Sequence, residues 1–136
     1  MKGKILFEVV TPQRMVLSEE VDEVTAPGVE GEFGVLPGHI PFMTALKIGE
    51  IMYRQGSLKR YMAVTWGFAE VLPDKVTIMS ETAQLADEID IARAMAEKER
   101  AEAQLRRMGV ADKDYWTVKG SLDKAITEVV VHGKKT

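Results

Sequence analysis

Chemistry in this chain has to come from a short inventory of side chains. There are two histidines, His39 and His132, and no cysteine. Disulfides, thiolate metal sites and cysteine nucleophiles are excluded together. The histidines lie far apart, and neither sits in a nucleophile elbow, a Walker loop or a zincin motif. Gly28 to Gly34 reads Gly-Val-Glu-Gly-Glu-Phe-Gly, with the glycine content of a phosphate cradle. No lysine and serine or threonine pair follows, and Glu30 and Glu32 repel phosphate, so a tight turn is the better reading. Glu19, Glu20, Asp22 and Glu23 form an acidic cluster that reads as solvated strand ends rather than a metal site. The segment Gly31 to Pro41 packs two prolines, three glycines and one histidine into eleven residues. Glycine permits positive φ and proline restricts it, which makes the connection rigid and specifically shaped. Either it is architecture alone, or it presents His39 to a partner, as rigid loops do well.

The elements that must position these residues change character near Leu85. All five prolines and eight of the eleven glycines precede residue 86. The earlier part carries short apolar segments rich in β-branched residues: Ile5 to Val10, Val21 to Ala26, Tyr61 to Trp66, Phe68 to Leu72 and Val76 to Ser80. Pro73-Asp74 forms a hairpin turn between the last two. Many short strands with turns every 8 to 12 residues predict an antiparallel β-sandwich rather than βαβ units.

From Asp87 to Met108 no proline or glycine occurs, and helix formers dominate. Asp87, Glu88 and Asp90 suit the start of a helix, Arg106 and Arg107 its end, and Gly109 stops it. Ile91, Ala94, Met95, Ala101, Leu105 and Met108 fall on one narrow stripe. A second helix is expected from near Asp112, with a packing seam of Tyr115, Val118, Leu122, Ala125 and Val129. Gly120 weakens it by up to about 1 kcal/mol relative to alanine. The expected organisation is a sandwich over residues 1–86 and an antiparallel helical hairpin over 87–136.

With 136 residues, of which 46% are hydrophobic, the chain can build a real core. Its 18 basic and 21 acidic residues give a net charge of −3, too balanced for a nucleic-acid binder. No stretch approaches the roughly 18 apolar residues that span a bilayer, so no direct membrane span is expected.

The segment Gly31-Glu32-Phe33-Gly34-Val35-Leu36-Pro37-Gly38-His39-Ile40-Pro41 resembles the epsilon subunit of bacterial F-type ATP synthases. Three further segments match in order and spacing: Phe7 to Pro12 the family's first strand, Pro73 to Ile78 its last hairpin, and Ile89 to Ala94 the start of its C-terminal helix. The resemblance covers essentially the whole chain. It implies a ten-stranded β-sandwich followed by a two-helix hairpin, and a non-catalytic rotor subunit rather than an enzyme. The implied partners are the gamma subunit and the ring of c subunits, with the hairpin reaching the catalytic beta and alpha subunits. The implied location is peripheral, on the cytoplasmic face of the cell membrane, with proton flow driving ATP synthesis. Glu32 and His39 are the candidate partner contacts.

No cofactor is expected to be required. Some bacterial members bind ATP in the hairpin, which makes an ATP-sensing module that restrains hydrolysis the alternative function. By this resemblance Asp90, Arg93 and Arg100 are candidates for a weak ATP site. The arginines would pair with phosphates, and Asp90 would hydrogen-bond the base or orient an arginine. The residues alone equally describe a helix N-terminus with an ordinary i, i+3 ion pair. ATP-binding relatives carry two arginines on the second helix where this chain has Lys124 and Glu128. Lysine loses the planar fork, and Glu128 reverses the sign. Lys113, Lys119 and Lys124 are likewise offset by Asp112, Asp114, Asp123 and Glu128, so only mild inhibition is expected from the hairpin.

Overall fold

The two-residue period of a strand places Ile5, Phe7 and Val9 wholly inside and Leu6, Glu8 and Val10 on the other face, and this strand is the spine of the fold. A computed structural model describes residues 3–135. Ten strands come first: β1 (Ile5–Val10), β2 (Met15–Val21), β3 (Glu23–Gly28), β4 (Gly31–Val35), β5 (Phe42–Leu46), β6 (Gly49–Gln55), β7 (Leu58–Val64), β8 (Gly67–Leu72), β9 (Lys75–Ser80) and β10 (Ala83–Leu85). A 3₁₀ turn at Ala86–Glu88 leads to helices α1 (Ile91–Leu105) and α2 (Tyr115–His132).

The strand order is β10-β7-β6-β3-β5-β8-β9-β1-β2, with β4 paired to β3. Every pairing is antiparallel except β1 with β9, which is parallel; the sheet is therefore mixed, where sequence had implied antiparallel throughout. It curls back on itself, so that Gln55 of β6 donates to the Glu19 carboxylate at 2.9 Å and to the Glu20 carbonyl at 3.1 Å on β2. Inside lie Phe7, Leu46, Ile51, Tyr53, Met62 and Ile78 with their neighbours. Phe7 and Tyr53 meet with ring centroids 5.3 Å apart. At the far end of β7, Thr65 and Thr82 exchange a hydroxyl hydrogen bond of 2.9 Å, and Ser80 Oγ donates to the Thr82 carbonyl at 2.6 Å.

Several boundaries differ from the sequence expectation, among them the Tyr61 to Trp66 segment, where β7 ends at Val64, and the first helix, which ends at Leu105 rather than Met108. The segment Val21 to Ala26 is the end of β2 and the start of β3, broken at Asp22. Val21 and Val24 are both buried at an odd spacing, which one uninterrupted strand cannot achieve. The corner is held by Asp22, whose carboxylate accepts from the Gly56 amide at 2.6 Å and from Lys4 Nζ at 2.7 Å. Those bonds, the Gly56 amide first, hold its pKa below the usual aspartate value. At the hairpin, α1 starts at Ile91 rather than Asp87, because extended Asp90 caps it. Finally, α2 starts at Tyr115 rather than Asp112, whose carboxylate instead accepts from the Asp114 amide at 3.0 Å.

Ala94, Ala101 and Ala125 are buried in the seam between the helices, whereas Met95 stays half exposed. Val131, outside the expected seam, is fully buried. It packs with Ala63 of β7, Ala86, Ile89 and Ala94, and ties the hairpin to the sheet.

One glycine is dictated by a close approach. A Cβ on Gly67 would stand 1.9 Å from the Met79 carbonyl oxygen, so β8 cannot begin beside β9 with any other residue. Gly120 is the opposite case: it lies inside α2, and a Cβ there would meet nothing within 4 Å. Gly120→Ala is therefore expected to stabilise the chain by about 1 kcal/mol in urea titration, whereas Gly67→Ala should give little folded protein. A destabilised Gly120→Ala variant would show that the position is constrained by something other than helix propensity.

Candidate functional site

Asp90 is positioned by the chain's exit from the 3₁₀ turn. Its φ of −82° and ψ of 99° are extended, and its carboxylate accepts from the Arg93 backbone amide at 3.1 Å. This is an N-cap, which satisfies one of the four free amides at the start of α1. The side chains of Asp90 and Arg93 line a cleft of about 210 Å³ between the two helices. Glu97, Ser121, Lys124 and Glu128 line it too. The structure thus brings two of the candidate ATP residues together with the two residues from α2.

Arg100 is not on that wall. Its guanidinium pairs with Glu97 one turn back, and that hydrogen bond holds the Glu97 carboxyl below its usual pKa. The helical period that puts residues 93 and 100 on one side is correct, but Glu97 lies between them and claims the second arginine. Across the cleft, Lys124 is 3.6 Å from Glu128. Three carboxylates, Asp90, Glu97 and Glu128, therefore face two cations. Such a wall favours a cation over a polyphosphate unless the acids turn away.

The His39 connection is held from both sides. Gly38 has φ +86°, a conformation that L side chains rarely adopt. Its amide donates to the Pro73 carbonyl at 2.7 Å, and the His39 amide donates to Leu36 at 3.2 Å. The loop is thereby pinned to the β8–β9 turn. His39 Nδ1 lies 2.7 Å from the Ile40 carbonyl oxygen; a carbonyl only accepts, so Nδ1 carries a hydrogen, and Nε2 is left free to face a partner. The ring packs on Phe42, which in turn meets Phe33 edge-on. Glu32 does not join that group. Strand alternation puts it on the opposite face of β4 from Phe33. There, after Glu50 and Tyr61, it helps hold the Lys134 ammonium above the usual lysine pKa.

A further surface escaped the sequence reading. Phe68 of β8 sits directly across from Met79 of β9, Met79 from Val10 of β1, and Val10 from Met15 of β2. These four form one cross-strand row on the outside of the sheet. Phe68, Met79 and Met15 are 54%, 41% and 51% exposed, and Trp66 at 55% flanks the row. Its alignment across four strands sets this row apart from singly exposed apolar side chains and makes it a candidate partner surface.

Among the described residues no group of three or more His, Asp or Glu side chains is arranged to hold a metal ion, and no helix is long and apolar enough to cross a membrane.

Comparison with known proteins agrees along the whole length. The family model described as "ATP synthase, Delta/Epsilon chain, beta-sandwich domain" matches residues 4–86, and "ATP synthase, Delta/Epsilon chain, long alpha-helix domain" matches residues 87–129. A relative from Geobacter sp. (strain M21) named "ATP synthase epsilon chain" is 51% identical over 136 residues, covering 100% of this chain and 99% of its own. "ATP synthase epsilon chain 2" of Syntrophotalea carbinolica is 50% identical over 134 residues, covering 98% and 97%. In fold, the chain is similar to a subunit in the Euglena gracilis mitochondrial ATP synthase OSCP/F1/c-ring structure. There the TM-score is 0.80 at 24% identity, over 93% of this chain and 80% of the other.

The capping role of Asp90 is separable from any ligand role. Asp90→Ala is expected to cost about 1 kcal/mol and to speed amide exchange in the first turn of α1, whereas Asp90→Asn, which still accepts from the Arg93 amide, should change stability little. Equal losses in both variants, read by denaturant titration, would mean that the carboxylate charge matters more than the cap.

Proposed function

The chain belongs to the ATP synthase delta/epsilon family, whose members are non-catalytic subunits of that complex, and on that premise we propose how it is seated in the central stalk. The outer row of Phe68, Met79, Val10 and Met15 receives the gamma subunit, and the loop end of the sandwich around His39 meets the ring of c subunits. The observation that carries this reading is the register of the row: four apolar side chains from four strands are aligned without a polar interruption. Burying them against a partner is worth roughly 25 cal/mol per Å² of apolar surface, before the costs of association. At the loop end, His39 Nε2 faces a polar group of a ring loop, and Ile40, 79% exposed, supplies apolar contact. Glu32 approaches the ring from the neighbouring face of β4.

In this seat the subunit links ring rotation, driven by proton flow, to ATP synthesis in the catalytic head. It is peripheral, on the cytoplasmic face of the bacterial cell membrane. The sandwich over residues 1–86 does the coupling. The hairpin over residues 87–136 regulates hydrolysis through contacts with the beta and alpha subunits. Its positive field is weak, because Lys119 pairs with Asp123 at 2.8 Å and Lys124 with Glu128, so the restraint on hydrolysis is mild.

Reconstitution with purified gamma and c-ring tests the seat. Phe68→Glu with Met79→Glu is expected to abolish gamma binding while leaving the chain folded. Glu32→Lys with His39→Asp should keep gamma and weaken ring retention. Full assembly and coupled synthesis by the first pair would remove the row from the interface, and unchanged ring retention by the second would remove the loop end.

A second reading, ATP sensing by the hairpin, is favoured by the cleft that gathers Asp90, Arg93 and Lys124. Glu128 works against it: like charges about 4 Å apart cost on the order of 1 to 4 kcal/mol before salt screening. Calorimetry of the intact chain with ATP is expected to give a Kd of about millimolar or weaker, and Glu128→Arg to tighten it by roughly one to three orders of magnitude. Micromolar binding by the unmodified chain would make the subunit a true ATP sensor.

A further inference from the structure

A second cleft, of about 120 Å³, lies where the end of α2 crosses the sheet, lined by Tyr53, Arg60, Tyr61, Asp87, Lys134 and Lys135 among others. We propose that it is a binding site for a small oxyanion, phosphate, held by Arg60, the two lysines and the Tyr53 hydroxyl, and that its occupancy fastens the helical hairpin to the sandwich.

Donors on these walls, the Tyr53 hydroxyl and the Arg60 guanidinium among them, have no partner among the described residues. Tyr53 is only 2% exposed, and its ring is fixed against Phe7. Its hydroxyl has no hydrogen-bond partner among the described residues, yet it is not a sealed-off atom. The part of Tyr53 that remains accessible is therefore the hydroxyl at the cleft wall. Burial, aided by nearby Glu19, pushes its pKa up to about 12, so near neutral pH it is a proton donor in want of an acceptor. Arg60 brings five further N–H donors, and no carboxylate within ion-pair distance takes them among the described residues. Lys134 Nζ donates to both Glu50 oxygens, at 2.8 and 3.0 Å. An ammonium has three hydrogens, so one donor is left over.

Two acids also border the cleft, Glu19 and Asp87. Glu19 already accepts from Gln55 Nε2 at 2.9 Å. Lys134 is already neutralised by Glu50, so with that carboxylate counted three cations face three anions at the cleft. The pull on an anion comes from Arg60 and Lys135, unpaired among the described residues, and from the Tyr53 hydroxyl rather than from net charge. Ligand pockets for drug-sized molecules begin near 300 Å³, so a cleft of about 120 Å³ takes a group of a few heavy atoms. A tetrahedral oxyanion meets these demands, either as free phosphate or as the terminal phosphate of a nucleotide whose remainder stays outside.

The walls come from opposite sides of a contact. Tyr53, Arg60 and Tyr61 belong to β6 and β7, while Lys134 and Lys135 follow α2. An anion bound between them binds only the docked hairpin. At ten times its Kd it raises the ratio of docked to released hairpin about elevenfold.

Titration of the ¹⁵N-labelled intact chain with sodium phosphate, at ionic strength held constant with sodium chloride, tests this directly. Saturable shifts are expected for amides around Arg60 and Lys134. Hydrogen exchange at the amides of residues 129–131 should slow by up to about tenfold. Arg60→Ala and Tyr53→Phe should each weaken binding at least tenfold, and both keep the fold, because Arg60 is exposed and the Tyr53 hydroxyl has no internal partner. Arg106→Ala, exposed at the end of α1 and on the wall of neither cleft, should leave phosphate binding unchanged. An ATP arm separates the sources: the same shifts at lower concentration assign a nucleotide's terminal phosphate, and shifts with phosphate alone assign the free anion. Shifts no different from those with chloride, or binding retained in both Arg60→Ala and Tyr53→Phe, would overturn the proposal. No partner subunit is required, so this result stands apart from the seating in the stalk.

Discussion

The register of β1 is the constraint on which the rest of the molecule depends. This strand satisfies two neighbours at once, β2 antiparallel and β9 parallel, and it places Ile5, Phe7 and Val9 at the centre of the core. Side chains alternate with a period of two, so a slip of one residue would expose all three and bury Leu6, Glu8 and Val10 instead. The same register aligns Val10 with Met79, and a break in the β1–β2 register between Val9 and Val10 brings Met15 opposite Val10 on the other side. The inner packing and the outer apolar row thus both depend on how β1 is aligned. A substitution that shifted β1 would lose both together.

Beyond the sheet, the hairpin is attached at one end. At the end of α2, Val131 is buried beside Ala63 and Ala86, and Lys134 reaches Glu50 and stands 4.9 Å over the Tyr61 ring. At the start of α2 the same side of the helix carries Trp116 and Gly120, which face Trp66 across an open groove instead of packing against it. The helix therefore diverges from the sheet along its length. Gly120 permits this, since its missing side chain leaves nothing to fill the gap.

What could be read from sequence follows from how far each signal reaches along the chain. Alternation over Phe68–Leu72 and Val76–Ser80, with Pro73-Asp74 between, is local, and it located β8 and β9 almost to the residue. Strand β4 was legible only as a turn, because Gly31, Glu32 and Gly34 carry no apolar alternation and β4 exists by pairing with β3 alone. The join at Asp22 left a trace in the odd spacing of Val21 and Val24. The role of Val131 left one in the run Val129-Val130-Val131, too wide for a single seam. The row of Phe68, Met79, Val10 and Met15 left none, since it exists only once strands distant in sequence are in register. At the candidate ATP cleft, the spacing of Asp90, Arg93 and Arg100 was legible, but the capture of Arg100 by Glu97 was decided by which side chain lies nearer.

The two parts differ in how firmly they are held, and that difference bears on what each can do. Eighteen buried residues, including Phe7, Tyr53 and Met62, form the main core. The cluster joining hairpin to sheet has five, of which three are alanines. Because hydrophobic stabilisation follows the apolar area removed from water, the joint is much the weaker. Ion pairs do little to offset this. Arg14–Glu88 at 3.2 Å and Lys134–Glu50 at 2.8 Å are both partly solvated, and such pairs contribute about 0 to 1 kcal/mol each. Local opening draws on the least stable contacts first, so the hairpin can leave the sheet while the sandwich stays folded. The larger core stiffens the sandwich, and the small side chains of the joint let the hairpin move at smaller energetic cost, which is what the proposed division into a transmitting and a regulating part requires.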